Sequence, residues 1–160
     1  MFMGKLLAEA GLIAGRNVTW MPAYGAEVRG GTSYSMVKIS NTEIASPIVT
    51  DPAILVVMNK PSLLKYESKV KPGGILISNK SLIGDFNKPK GIKVINIQMT
   101  DIASKLGDIR CANMIAIGAI VKYSSVVSIK NVTGALKAMF KGKEELFLLN
   151  KKAIEKGYGT

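Results

Sequence analysis

The residue types best suited to chemistry are concentrated in a glycine-rich stretch between two apolar segments, at residues 18–35. Its glycines are Gly25, Gly30 and Gly31. Glycine permits backbone angles and close approaches that other residues resist. Glu27 and Arg29 lie among these glycines and can form charge-assisted hydrogen bonds, with Tyr24 beside them. The stretch favours a loop that presents polar groups to a ligand or a protein. A tight connection stabilised by a local Glu27–Arg29 pair is the alternative.

The rest of the sequence offers little for catalysis. It contains no histidine, which removes the most common general base and the most common transition-metal ligand. Cys111 is the only cysteine, so the chain forms no intrachain disulfide and lacks the thiolates of a structural zinc or iron–sulfur site. We expect Cys111 to be a small core or helix-start residue rather than a catalytic thiol. This inventory favours a subunit that contributes to an active site over a complete enzyme.

Composition indicates a folded, basic protein. The 160 residues are 48% hydrophobic, carry a formal net charge of +11 and suit one domain. No apolar run approaches the ~20 residues of a membrane span and no secretory leader is recognisable, so we expect a cytoplasmic protein without membrane contact. The charge suggests a nucleic-acid-binding module as an alternative. Because arginines are few and the lysines are dispersed, we expect instead a solvated, lysine-rich surface and no nucleic acid.

Apolar periodicity and turn residues predict alternating strands and helices. The predicted strands are residues 17–21, 32–40, 53–58, 75–78 and 93–98. The predicted helices are residues 5–14, 61–66, 101–106, 113–123, 132–140 and 144–155. Pro22 is expected to end the first strand, and Thr100 is expected to cap the helix that follows it. The pattern predicts an α/β fold, a single three-layer domain over residues 1–160 with a mostly parallel open sheet flanked by helices. The C-terminal helical tail, residues 128–157, is expected to cover the sheet edge.

Residues 20–40 resemble the signature of the gamma subunit, or gamma domain, of the 2-oxoacid:ferredoxin oxidoreductases, which reads P-x-Y-G-x-E-x-R-G-G before a polar strand. The matching positions are Pro22, Tyr24, Gly25, Glu27, Arg29, Gly30 and Gly31. Further stretches match in order, at residues 46–48, 58–63, 70–74 and 113–119. The family opens with a strand and a G-x-G-G-Q-G turn before its first helix. Residues 1–10 are already similar to that helix, so the strand and turn are expected to be absent.

The resemblance implies a place in a multisubunit enzyme that oxidatively decarboxylates a 2-oxoacid to an acyl-coenzyme A and passes electrons to ferredoxin. It implies thiamine diphosphate, magnesium and iron–sulfur clusters on the alpha, beta or delta subunits, and no cofactor held by this chain. A lysine-rich surface would then meet acidic sister subunits, acidic ferredoxin or the phosphates of coenzyme A.

The resemblance also implies a role for the glycine-rich loop, either at a subunit interface or facing coenzyme A. The implied loop residues are Tyr24, Gly25, Glu27, Arg29, Gly30, Gly31 and Thr32. The identity of the 2-oxoacid and the subunit composition of the complex stay open. A stand-alone small-molecule-binding α/β domain is the second alternative. A homodimer is expected for the chain without its partners, because unpaired apolar surface favours self-association.

Overall fold

The structure is a computed structural model that describes residues 1–24 and 33–160. Its strands are β1 (Asn17–Tyr24), β2 (Ser33–Ser40), β3 (Ile54–Val57), β4 (Ile75–Asn79) and β5 (Lys93–Ile97). Its first four helices are α1 (Phe2–Ile13), α2 (Lys60–Tyr66), α3 (Lys80–Ile83) and α4 (Met99–Lys105). The later helices are α5 (Ala112–Ser124), α6 (Ile129–Met139) and α7 (Glu144–Tyr158). Short 3-10 turns at Glu67–Lys69 and Ile109–Cys111 complete the described elements.

A parallel sheet confirms the α/β class predicted from the sequence. Strands β3, β4 and β5 lie side by side in that order, with Ile54 opposite Ile75 and Ile75 opposite Lys93. The central strand β4 is buried along nearly all of its length, as expected of a continuous apolar run in a parallel sheet. Helix α5 packs against β3 and β4 and forms the centre of the main hydrophobic core.

The first two strands form a separate antiparallel ribbon rather than part of the parallel sheet. The ribbon runs in register from Asn17 opposite Ser40 to Tyr24 opposite Ser33. The expectation that Pro22 ends β1 is wrong, because the strand continues to Tyr24. Each strand of a two-stranded ribbon is an edge strand, where a residue without an N–H group is tolerated. Helix α1 packs on one face of this ribbon.

The C-terminal helices pack mainly on other helices, which corrects the expectation that they cover the sheet edge. Helix α7 lies along α5, and α6 packs against α1. The approach of α7 to α5 depends on Gly118 and Gly157. A Cβ atom on Gly118 would overlap the carbonyl oxygen of Ile154, and one on Gly157 would overlap that of Ile115. The two helices are therefore in backbone contact.

Helices α1, α4 and α6 each begin two or three residues earlier than the sequence predicted. Helix α4 begins at Met99, so Thr100 lies inside its first turn and is not the N-cap residue. Helix α6 begins at Ile129, three residues earlier than predicted, because Ser128 and Asn131 form a reciprocal capping box. Gly107 follows Leu106, the C-cap residue of α4, and its φ of 99° is one that favours glycine. Of the helices formed by the described residues, none has the length and apolar character that crossing a bilayer demands.

Candidate functional site

The predicted loop begins where the β1–β2 ribbon ends. The backbone of Tyr24 pairs with Ser33 and closes the ribbon. The remaining predicted site residues lie outside the described residues, as does the side chain of Tyr24. These residues are Gly25, Glu27, Arg29, Gly30, Gly31 and Thr32. The structure therefore defines the base from which the loop departs and the side chains beside that base.

The ribbon that carries the loop is held by two other segments of the chain. On one side, α1 approaches the ribbon so closely that a Cβ atom on Gly4 would meet the Ser35 side chain. Elsewhere along the ribbon, the segment that follows β2 folds back over it. There Lys38 Nζ donates to the Ser46 carbonyl oxygen at 2.7 Å, and the Val49 N–H donates to Met36 Sδ at 3.2 Å. The ends of the loop are thus attached to a packed support.

A pair of aromatic rings connects the ribbon to α2. Tyr34, next to the last ribbon pair, has its ring centroid 5.5 Å from that of Tyr66, with the planes tilted by 57°. This tilted arrangement is favourable for aromatic pairs. The Tyr66 Oη atom is buried and has no hydrogen-bond partner among the described residues. No local sequence pattern predicts this pair, because the two tyrosines are far apart in the chain.

The exposed side of α2 presents cationic and apolar groups next to these rings. Lys65 Nζ lies 5.4 Å, and Lys69 Nζ 5.5 Å, from the centroid of the Tyr66 ring, within the range of cation–π attraction. Leu64 is 65% exposed, and Lys60 is exposed one helical turn before it. We call this group, Lys60, Leu64, Lys65, Tyr66 and Lys69, the α2 surface.

A second polar group lies at the carboxyl ends of the parallel strands, where open α/β sheets bind ligands. Ser78 Oγ donates to Asn96 Oδ1 at 2.5 Å across β4 and β5. Asn79 donates through Nδ2 to Thr100 Oγ1 at 2.8 Å and accepts from the Thr100 N–H at 3.3 Å. Because these side chains are hydrogen-bonded to one another, they tie β4 to β5 and to the start of α4. We therefore assign these side chains a role in stabilising the fold rather than in binding a ligand.

A cavity of about 270 Å³ lies between the start of α1 and the start of α7. Its lining residues are Phe2, Asp108, Arg110, Cys111, Asn113, Phe140, Leu146 and Asn150. At its rim, Arg110 Nη2 donates to Asp108 Oδ2 at 2.7 Å, and Arg110 Nε donates to Asp108 Oδ1 at 3.0 Å. These hydrogen bonds from Arg110 hold the pKa of the Asp108 carboxyl below its usual range. Asp108 is therefore an ion-pair partner rather than a proton acceptor.

Cys111 is a core residue, as the sequence predicted. Its side chain is 2% exposed, and its Sγ lies 3.7 Å from Asn150 Oδ1. Burial raises the pKa of the Cys111 thiol, and the negative charge of Asp108 adds to that effect. A buried thiol whose pKa is raised is a poor nucleophile at neutral pH, because the thiolate is the reactive form. Within residues 1–24 and 33–160, no three His, Cys, Asp or Glu side chains cluster as a metal ion requires.

Comparison with known proteins agrees with the resemblance. The model of the pyruvate ferredoxin/flavodoxin oxidoreductase family matches residues 1–160. The 2-oxoglutarate synthase subunit KorC of Methanocaldococcus jannaschii is 33% identical, over 98% of this chain and 88% of its own length. The crystal structure of a keto/oxoacid ferredoxin oxidoreductase gamma subunit from Geobacter sulfurreducens superposes with a TM-score of 0.83. That structure is 25% identical, over 99% of this chain and 88% of its own.

One group of relatives is much longer than this chain. The ketoisovalerate oxidoreductase subunit VorA of Methanothermobacter marburgensis is 35% identical over 97% of this chain. The chain spans only 32% of the length of that relative. The same type of domain therefore occurs both as most of a short subunit and as a part of a longer polypeptide.

Proposed function

The chain belongs to the pyruvate ferredoxin/flavodoxin oxidoreductase family, and we propose that it acts as the gamma subunit, or gamma domain, of a 2-oxoacid:ferredoxin oxidoreductase. The observation that carries the proposal is the match of the family model over residues 1–160, together with the 88% coverage of the short subunit KorC. In this proposal residues 1–160 form one gamma-type domain.

The proposed complex converts a 2-oxoacid and coenzyme A to an acyl-coenzyme A and carbon dioxide, while two electrons pass to ferredoxin. Thiamine diphosphate, magnesium and iron–sulfur clusters belong, in this proposal, to the alpha, beta or delta subunits. The burial of Cys111 and the pairing of Asp108 with Arg110 support this division, because neither side chain is presented to a ligand. The chain alone is then inactive, and its complex works in the cytoplasm.

The glycine-rich loop is the proposed contact with coenzyme A or with a sister subunit. Glu27 and Arg29 would supply charge-assisted hydrogen bonds, and Gly30 and Gly31 would expose backbone N–H groups. The packed support of the loop favours this role, because a binding loop on a rigid base loses less conformational entropy when it binds. The base is the ribbon pair Tyr24–Ser33 with the adjoining Tyr34 ring.

Co-purification tests the assignment. The chain would be expressed together with candidate alpha and beta subunits from its own genome, with an affinity tag on this chain alone. We expect a stable complex that reduces a viologen dye in the presence of coenzyme A and one member of a 2-oxoacid panel. A chain that purifies alone, as a monomer or a homodimer, would contradict the subunit role. Ligand binding without partners would then favour the stand-alone domain, and steeply salt-dependent binding to bare DNA or RNA would favour the nucleic-acid module.

The loop is tested separately within that complex. Glu27→Ala and Arg29→Ala should weaken assembly or raise the coenzyme A concentration needed for half-maximal turnover. Glu43→Ala and Arg16→Ala are matched controls, because both residues are exposed and lie outside the loop. If the loop variants behave like these controls in both assembly and turnover, the loop has no binding role.

A further inference from the structure

The α2 surface concentrates positive charge more strongly than the dispersed lysines of the sequence suggest. Residues 60–71 contain four lysines, and Glu67 is the only acidic residue among them. Within the described parts of the chain, Lys60, Lys69 and Lys71 form no ion pair, whereas Lys80 pairs with Asp85 and Lys151 pairs with Glu155. Exposed cations concentrated in one stretch of chain attract an anionic partner.

We propose that the α2 surface docks onto an acidic face of a sister subunit in the same oxidoreductase complex. The inference rests on the proposed gamma-subunit function and identifies the face that the chain uses. The chemistry of the partner follows from this surface: carboxylates opposite Lys60 and Lys69, around an apolar pocket for Leu64.

The apolar centre of the surface favours a protein over a small anion. Leu64 is 65% exposed, and it follows Lys60 by four residues, so the two side chains share one side of the helix. A phosphate group would gain nothing from an exposed leucine, whereas a protein interface typically surrounds a desolvated apolar anchor with a charged rim. Lysine stems also contribute apolar area while their ammonium groups reach the rim.

The position of the surface supports the same partner. Tyr66 joins the α2 surface to Tyr34, and Tyr34 lies beside the pair that closes the ribbon. The α2 surface is therefore continuous with the base of the loop proposed to contact a sister subunit. One interface can cover both regions, with the loop supplying specific hydrogen bonds and the lysines accelerating association.

Charge reversal at two lysines tests the docking surface. Lys60→Glu and Lys69→Glu would be combined, because neither residue has an ion-pair partner among the described residues. At low salt we expect the double variant to bind the purified alpha and beta subunits about tenfold or more weakly than the unaltered chain, since rim charges control association. The difference should shrink in high salt, where exposed charges are screened.

Two further variants make the test specific. Lys130→Glu with Lys137→Glu on α6 changes net charge equally at exposed positions and should alter affinity by less than about threefold. Leu64→Ser should weaken binding at both low and high salt, because apolar contact is not screened. Thermal unfolding of each purified variant would verify that it is folded.

The outcomes separate this inference from the assignment of function. If the unaltered chain binds its sister subunits but both α2-surface variants bind equally well, the docking inference is wrong and the gamma-subunit assignment stands. If the unaltered chain does not bind, the assignment fails and the inference fails with it. Release of the complex by pyrophosphate, but not by sodium chloride of equal ionic strength, would identify the surface as a small-anion site and overturn protein docking.

Discussion

The α5–α7 contact and the α2 surface differ in how much of each helix is buried. Helix α5 is buried along nine residues, and α7 approaches it until Gly118 and Gly157 bring the two backbones together. Helix α2 buries Leu63 alone and leaves Leu64 and its lysines at the surface. The α5–α7 contact has no space for an added side-chain atom at these glycines. The α2 surface, by contrast, carries exposed side chains that pack little against the rest of the chain.

The α5–α7 contact contributes to the stability of the chain, whereas the α2 surface is available for binding. Burial of large apolar side chains contributes roughly 1.5–3 kcal/mol each, and α5 buries Ile115, Ile117 and Met114 completely. Substitutions in the α5–α7 contact should therefore unfold the chain. Substitutions on the α2 surface should leave it folded and change only what it binds.

The largest effect is expected from adding one methyl group between α5 and α7. Gly118→Ala or Gly157→Ala would force a Cβ atom into the opposite backbone, so the helices must separate and lose their packing. We expect a loss of about 3 kcal/mol or more in the free energy of unfolding, measured by urea denaturation.

Gly134→Ala is the matched control on a neighbouring helix. Its nearest contact would be Ile13 Cδ1 at 3.7 Å, an ordinary van der Waals distance. Because alanine restricts the unfolded chain more than glycine does, this variant should be about 0.4–1 kcal/mol more stable. Equal destabilisation by all three substitutions would contradict the account of the α5–α7 contact.

Removal of the buried Asn79 side chain should have the next largest effect. Asn79→Ala leaves the N–H and hydroxyl groups of the half-buried Thr100 without their partner, because both contact the Asn79 amide. We expect a loss of about 1–3 kcal/mol in the free energy of unfolding. Asn87→Ala, at an exposed loop position, should remain within about 0.5 kcal/mol of the unaltered chain.

The sequence predicted the strands well where a single physical signal dominates. Short apolar runs located β3 and β4 to within a residue or so, because a continuous apolar run is typical of a strand in a parallel sheet. The residue type of Thr100 favours a helix cap. In the structure its hydrogen-bond partner is Asn79, at the end of β4 and distant in sequence. Such a tertiary hydrogen bond leaves no local pattern.

The candidate site was predicted unevenly for a similar reason. The resemblance identified the 24–32 loop, which the described residues do not test. It did not identify the α2 surface, although the spacing of Lys60 and Leu64, and of Lys65 and Lys69, is a local helical signal. The missing information was the Tyr34–Tyr66 contact, which brings this helix to the base of the loop.

The buried Cys111 thiol, which lies in the main hydrophobic core, should have a smaller effect on stability, and that effect should depend on pH. Because its pKa is raised in the folded state, the folded chain holds the thiol proton more tightly than the unfolded chain. The contribution of Cys111 to stability is complete below the unfolded pKa of about 8.5 and declines as the pH rises through that value. The difference in unfolding free energy between the unaltered chain and Cys111→Ala should therefore decrease between neutral and alkaline pH. A pH-independent difference would refute this account.

The smallest effect on stability is expected at the α2 surface. Leu64→Ser should change the free energy of unfolding by less than about 0.5 kcal/mol, since the side chain is largely in solvent in the folded state. Calorimetry of the isolated chain measures this directly. A large destabilisation would show that Leu64 supports the fold, and the contrast with the α5–α7 contact would then disappear.

The central claim is that this chain is one part of an oxidoreductase and not an enzyme by itself. Omission of each subunit in turn from a reconstituted mixture tests the claim most directly, with coenzyme A-dependent dye reduction as the readout. The account predicts activity from the full mixture and none from this chain alone. It also predicts that activity is lost when this chain is left out and returns when it is added back. Full turnover by the other subunits without this chain would contradict the claim.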